Sequence, residues 1–171
     1  MKNSIYENAM GLVRKFKTRD PEKIARLLGI EVIYNPDFSH LKGFYIVMNR
    51  KRYIVVNDNL DDNQKRIVLS HELGHDRLHR KLAGDAGLQE FVLYDMKSRP
   101  EYEANLFAAE LLLDDTEILA LAREGYDIEE ISKILETDIN LAAIKVSGMN
   151  TRGYNFNPVI SPKRNFLSDK K

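Results

Sequence analysis

Apolar positions change their spacing along this chain, and each change marks an element. From Ile5 to Lys17 they recur at the interval of a helix face, and a second short helix starts at Asp20-Pro21 and stops at Gly29. Glu31 to Tyr34, Phe44 to Met48 and Tyr53 to Asn57 are apolar and β-branched runs that predict strands, the last two joined through Asn49-Arg50-Lys51-Arg52 as a hairpin. Asn59 to Leu82 predicts a long helix. Asp61 or Asp62 supplies its N-cap, no proline interrupts it, and apolar or histidine side chains at 67, 68, 71, 75, 78 and 82 form an inward stripe. Another helix opens at Ser98-Arg99-Pro100-Glu101, where the serine cap, early proline and following glutamate make a capping box, and its apolar run extends from Ala104 to Leu113. Short helices over Asp127 to Leu135 and Asp138 to Gly148 come next, and Arg152 to Lys171, with Pro158 and Pro162 among polar residues, predicts an extended tail. This order predicts an α+β fold in which a short antiparallel sheet packs on the long helix. We expect a main domain over 1–122, a helical subdomain packed on it over 123–151, and the tail over 152–171.

The inward stripe carries unusual chemistry. His71-Glu72-Leu73-Gly74-His75 places two imidazoles four residues apart on one helix face, with a glutamate beside them. Such a pair needs a compensating partner when it faces a core, and a metal supplies one. His79 lies two turns beyond His71, about 10 Å along a straight helix, so it cannot close on the same ion and takes an outer or structural role. A catalytic zinc usually takes three protein ligands, so another donor is required. The capping box assigns Glu101 a structural task. Glu103 shares a face with Leu106, Phe107 and Glu110 and is the preferred ligand, with Glu110 left as the alternative or as a salt-bridge partner. A histidine six residues after His75, as metzincin-type sites require, is absent because Lys81 stands there.

His71-Glu-Leu-Gly-His75 followed by Glu101-Tyr-Glu-Ala-Asn-Leu-Phe-Ala-Ala-Glu-Leu-Leu-Leu113 resembles the ImmA/IrrE family of zinc metallopeptidases. The resemblance extends from about Asp20 to Ala122, through Leu28-Gly29-Ile30 and Leu41-Lys42-Gly43-Phe44. It implies a small zincin-like fold, Zn2+ held by His71, His75 and Glu103, and Glu72 as the catalytic acid/base. It also implies a protein substrate, a helix-turn-helix repressor encoded by a phage or integrative element. One departure is that Asp114 stands where the family's helix often ends in proline.

Composition adds exclusions. With 171 residues, 43% hydrophobic and 30% charged, the chain can bury a real core. It has no cysteine, so neither disulfides nor thiolate metal sites are available. No apolar run has the length of a membrane span and Met1 to Ile5 lacks a signal-peptide core, which predicts a cytoplasmic protein. The 26 basic and 26 acidic side chains balance, so no global field draws the chain to nucleic acid. Arg14, Lys15, Lys17 and Arg19 are expected to be a solvated helix face and end. The helix pair after Asp127 superficially resembles a helix-turn-helix, which leaves a DNA-binding or protein-binding regulatory module with a structural zinc as the rival reading. Acidic residues outnumber basic ones there, so phosphate repulsion argues against it. Ala83 to Lys97, with Gly84, Gly87 and Phe91 to Tyr94, is either a cleft wall or a loop pinned by its aromatics; no catalytic role is assigned to Tyr94 or Tyr102.

Overall fold

A computed structural model describes residues 2–80 and 98–156. In chain order the elements are α1 (Lys2–Phe16), α2 (Pro21–Leu27), β1 (Ile30–Asn35), β2 (Gly43–Met48), β3 (Lys51–Asn57), α3 (Asp62–Leu78), α4 (Arg99–Leu112), α5 (Asp115–Arg123), α6 (Ile128–Ile134) and α7 (Ile139–Thr151). The α+β prediction holds. The loop expected over Ala83 to Lys97, with Tyr94, and the tail beyond 156 lie outside the described residues.

Helix starts follow from short acidic caps. The Asp20 side chain accepts the N–H groups of Glu22 and Lys23, Asp61 accepts that of Gln64, and Asp114, Asp127 and Asp138 cap α5, α6 and α7. Asp114, the residue in place of proline, therefore starts the next helix and also pairs with Arg19 at 2.5 Å. Arg19 is not part of a solvated basic face as expected: its guanidinium also donates to the carbonyls of Glu110 and Leu111, two of the carbonyls left open at the end of α4.

The sheet has the order β1-β3-β2. β2 and β3 pair antiparallel as a hairpin, but β1 runs parallel to β3, so the sheet is mixed rather than wholly antiparallel. The hairpin turn is tighter than the four-residue link expected. Met48 pairs with Lys51, and Asn49 and Arg50 between them both take positive φ, 52° and 64°. That is the geometry of a primed turn, whose usual glycine is absent here.

α3 lies between the sheet and α4, and from Ile67 to Gly74 every residue is buried. Close approach on both sides depends on missing side chains. A Cβ on Gly43 would meet Val68 Cγ1 at 2.6 Å, and one on Gly74 would meet Ala104 Cα at 3.1 Å and its carbonyl oxygen at 3.2 Å. Leu73, Leu106, Phe107, Ile54, Val56, Ile24 and Ala9 fill the main core around this stack. A second cluster, Leu113, Ile118, Ile131, Val146 and Met149, joins the C-terminal helices.

α7 is buried from Leu141 to Val146, and α4 is among the helices it packs on. It is held there by ions as well as by apolar contacts. Lys145, fully buried, lies 2.5 Å from both Glu110 and Asp115, and Arg152 bonds the same two carboxylates while covering the Tyr6 ring at 4.1 Å. The side chains from Leu141 to Val146 are thus committed to the core.

Candidate metal centre

The two histidines of α3 face the first turn of α4. His71 Nε2 lies 3.1 Å from His75 Nε2 and 3.1 Å from Glu101 Oε2, and His75 Nε2 lies 3.3 Å from Glu101 Oε1. His71 is fully buried, Glu101 is 8% exposed and His75 is nearly as enclosed. These residues form the one group among the described residues whose donor atoms could share an ion.

The position expected of Glu103 therefore falls to Glu101. Glu103 gives one carboxylate oxygen to Arg99 at 2.7 Å and the other to His79 Nε2 at 3.1 Å, and neither faces His71. The capping box that reserved Glu101 for the helix end does not form: Ser98 occupies the N-cap position without a side-chain cap bond. Two residues along a helix is a rotation of about 200°, so Glu101 and Glu103 cannot present the same face. Asn105, four residues after Glu101, does share its face, and its Oδ1 meets His71 Nδ1 at 2.9 Å. Glu110, the alternative, is committed to Lys145 and Arg152. Tyr102 packs against the main core.

The donor set suits a cation. With Asn105 Oδ1 accepting the Nδ1 proton, His71 would offer its Nε2 lone pair to a bound cation. A tetrahedral zinc with ligand bonds of about 2.0–2.2 Å separates its donor atoms by about 3.3 Å, close to the edges found here. Two imidazole lone pairs and a carboxylate held this close need a proton or a cation between them. Burial works to raise the pKa of Glu101, but hydrogen bonds with His71 and His75 outweigh it and hold the carboxyl well below the usual range.

Glu72 stands beside this triad, 1% exposed. Burial pushes its pKa up to about 8, the His75 and Glu101 charges pull in opposite directions, and the Tyr45 backbone N–H favours the carboxylate. Its Oε1 has no hydrogen-bond partner among the described residues. Tyr45 is fixed in turn: its hydroxyl donates to Asp76 at 2.8 Å, a fully buried α3 carboxylate that Arg52 and Arg80 also hold. Nothing in the spacing of polar residues singled out Asp76 or Asn105. The signal available was Asp76 one residue after His75, on a helix with no polar face to spare.

Comparison with known proteins agrees with this centre. Residues 25–147 match the family described as Peptidase_M78, the IrrE N-terminal-like domain, a metallopeptidase-type domain. A relative from Bacillus phage phi105, named "Uncharacterized immunity region protein 2", is 34% identical over 134 residues, 78% of this chain and 84% of that protein. The helix pair that brings His71, His75 and Glu101 together lies wholly inside the matched span, and the chain belongs to the IrrE N-terminal-like, Peptidase_M78, family.

Proposed function

We propose that this protein is a zinc-dependent endopeptidase that cuts another protein, with His71, His75 and Glu101 holding the metal and Glu72 moving protons. The convergence of His71 Nε2, His75 Nε2 and the Glu101 carboxylate beside the enclosed Glu72 carries this reading. Bound zinc supplies Lewis acidity toward water and the scissile carbonyl. Glu72 Oε1 takes the proton of the attacking water and delivers it to the leaving amide nitrogen, while the Tyr45 N–H steadies the carboxylate. Its raised pKa comes down once positive charge sits beside it, toward the range where accepting and releasing a proton are both easy.

The sheet offers a place for the substrate backbone. The Asn57 N–H bonds the Lys42 carbonyl at 2.9 Å, so with the observed register Phe44, Ile46 and Met48 bond inward to β3. Gly43, Tyr45 and Val47 then turn their backbone groups to the free edge of β2, the edge on which Tyr45 reaches Glu72. An extended substrate segment added at this edge would lie along the metal centre. Similarity to a phage immunity region protein supports a regulatory setting, with a separate helix-turn-helix repressor as substrate and an intracellular site of action. Among the described residues no helix is long and apolar enough to cross a membrane.

The test is incubation of the zinc-loaded chain with a repressor encoded beside it, read by intact mass. We expect one discrete cleavage, lost on chelation and slowed at least about 10²- to 10⁴-fold by Glu72→Gln with zinc retained. Equal cleavage by Glu72→Gln would overturn the assigned proton path.

A further inference from the structure

Glu72 follows His71 and Asp76 follows His75, so these two acids lie four residues apart on one face of α3, about 5.4 Å along its axis. Tyr45 of β2 meets both. Its hydroxyl donates to Asp76 Oδ1 at 2.8 Å, and its backbone N–H donates to the Glu72 carboxylate. Tyr45 is 5% exposed and Asp76 1%, so water does not readily replace the first of these bonds.

Asp76 is held in turn from other elements. Arg52 of β3 gives Nη1 to both of its oxygens, at 3.1 and 3.2 Å, and Arg80 adds a bond to Oδ2 at 3.0 Å. The Nη2 group of Arg52 donates to the Leu28 carbonyl at the end of α2. The Tyr45 hydroxyl therefore ends on an acceptor tied to α2, β3 and α3, while the backbone of the same residue lies on the outer edge of β2. That strand is bonded to the sheet on one side only, so its position over α3 depends on what its residues meet there. Gly43 lies against Val68 near one end, and Tyr45 supplies the polar anchor.

We propose that the Tyr45 hydroxyl and Asp76 form a pin that sets β2 at a fixed height over α3 and so aims Glu72 and the substrate edge at the metal centre, making both of them positioning residues. The proposal rests on the endopeptidase reading above for its catalytic consequence, but the pin itself is a property of the metal-free chain. Zinc affinity does not depend on it, because the ligands come from α3 and α4, whose approach is set at Gly74 and Ala104. The rate does depend on it: a shift of reacting groups by about 1 Å can cost about 10²-fold.

Tyr45→Phe removes one oxygen and leaves the backbone N–H. Asp76→Ala removes the acceptor, whereas Asp76→Asn keeps an oxygen for the hydroxyl and gives up the charge that Arg52 and Arg80 bond. Hydrogen exchange of the residue-45 amide, followed by NMR in the metal-free full-length protein, reads the pin directly. Tyr45→Phe and Asp76→Ala should each speed it at least about 5-fold, with Asp76→Asn close to the parent. In the zinc-loaded protein, Tyr45→Phe should lower kcat and kcat/KM together about 10- to 100-fold on the repressor encoded beside the chain, with zinc affinity unchanged in chelator competition. A contact that only stabilises the fold gives another order: Asp76→Asn, which loses buried ion pairs, would then speed exchange more than Tyr45→Phe. That order, or parent-like exchange or kcat in Tyr45→Phe, would overturn the proposal. Should the Asp76 variants fold poorly, Tyr45→Phe decides alone, since exchange at residue 45 must rise while that of the buried α3 amides does not. A parent that cleaves nothing would overturn the endopeptidase reading, and the metal-free exchange pattern would still judge the pin.

Discussion

Two buried charged clusters hang on α4, and they differ in how their charges add up. At its C-terminal half Glu110 meets Lys145 and Arg152, and Asp115 completes a set of two acids and two bases. At its N-terminal end Glu101 meets the inward ring nitrogens of two imidazoles, beside a further buried acid, Glu72. The first cluster is complete within the protein and acts as a clamp for α7. The second is short of positive charge. Burial of polar groups therefore marks a ligand site only where donors and acceptors fail to balance.

The largest effect expected from breaking this contrast is at the clamp. Lys145→Met leaves Glu110 and Asp115 sharing Arg152 and should destabilise the zinc-loaded protein by about 3–5 kcal/mol in urea unfolding, with zinc stoichiometry unchanged. Adding Glu110→Leu should recover most of that loss, because the unpaired carboxylate goes with it. A loss under about 1 kcal/mol for Lys145→Met would show that the clamp is not a buried ion pair of the usual kind.

At the metal centre the contrast appears as a pH dependence. Glu72 has a folded pKa of about 8 against an ordinary 4.5, so the folded metal-free chain binds the extra proton between those values. Stability from this group is full below the lower value and falls as pH rises toward 8, by at most about 1.4 kcal/mol per pH unit. Glu101 is shifted the other way and acts in a separate window, with stability present above 4.5 and lost as pH falls below it. Glu72→Gln should flatten the upper slope and leave the lower one; identical slopes in urea titrations of parent and variant would contradict the burial of Glu72.

Much of the fold was legible in the sequence because it rests on local chemistry. The aspartate caps, the proline at the start of α2 and the apolar runs of the strands are short-range signals. The parallel pairing of β1 with β3 is not, since nothing within either strand states its partner. The centre was legible in half. His71, Glu72 and His75 stand on one helix, where spacing determines geometry, but the ligand from α4 depends on the rotation of that helix. Ser98 and Glu101 fit a capping box, and Glu103 lies on an apolar stripe, so local rules favoured Glu103. Packing of Gly74 on Ala104 sets the rotation instead and turns Glu101 inward. Arg19 misled for a similar reason: its cationic neighbours are solvated, whereas its own partners are the distant carbonyls of α4.

Smaller effects sharpen the role of that packing. Gly74→Ala inserts a methyl 3.1 Å from Ala104 and should cost about 1–3 kcal/mol while loosening zinc, since it moves α3 away from Glu101. Gly11→Ala, on α1 with open space around the new carbon, should stabilise by about 0.5–1 kcal/mol and leave zinc binding unchanged. Thermal unfolding and chelator competition on the two variants separate the close contact from helix propensity; equal responses would contradict the account of Gly74.

The most direct measurement is zinc per chain, by elemental mass spectrometry after dialysis, in the parent, Glu101→Ala and Glu110→Gln. The account predicts close to one zinc in the parent and in Glu110→Gln and almost none in Glu101→Ala, because of the two clusters on α4 only the one around Glu101 lacks its own cation. Full zinc in Glu101→Ala, or none in the parent after supplementation, would contradict it.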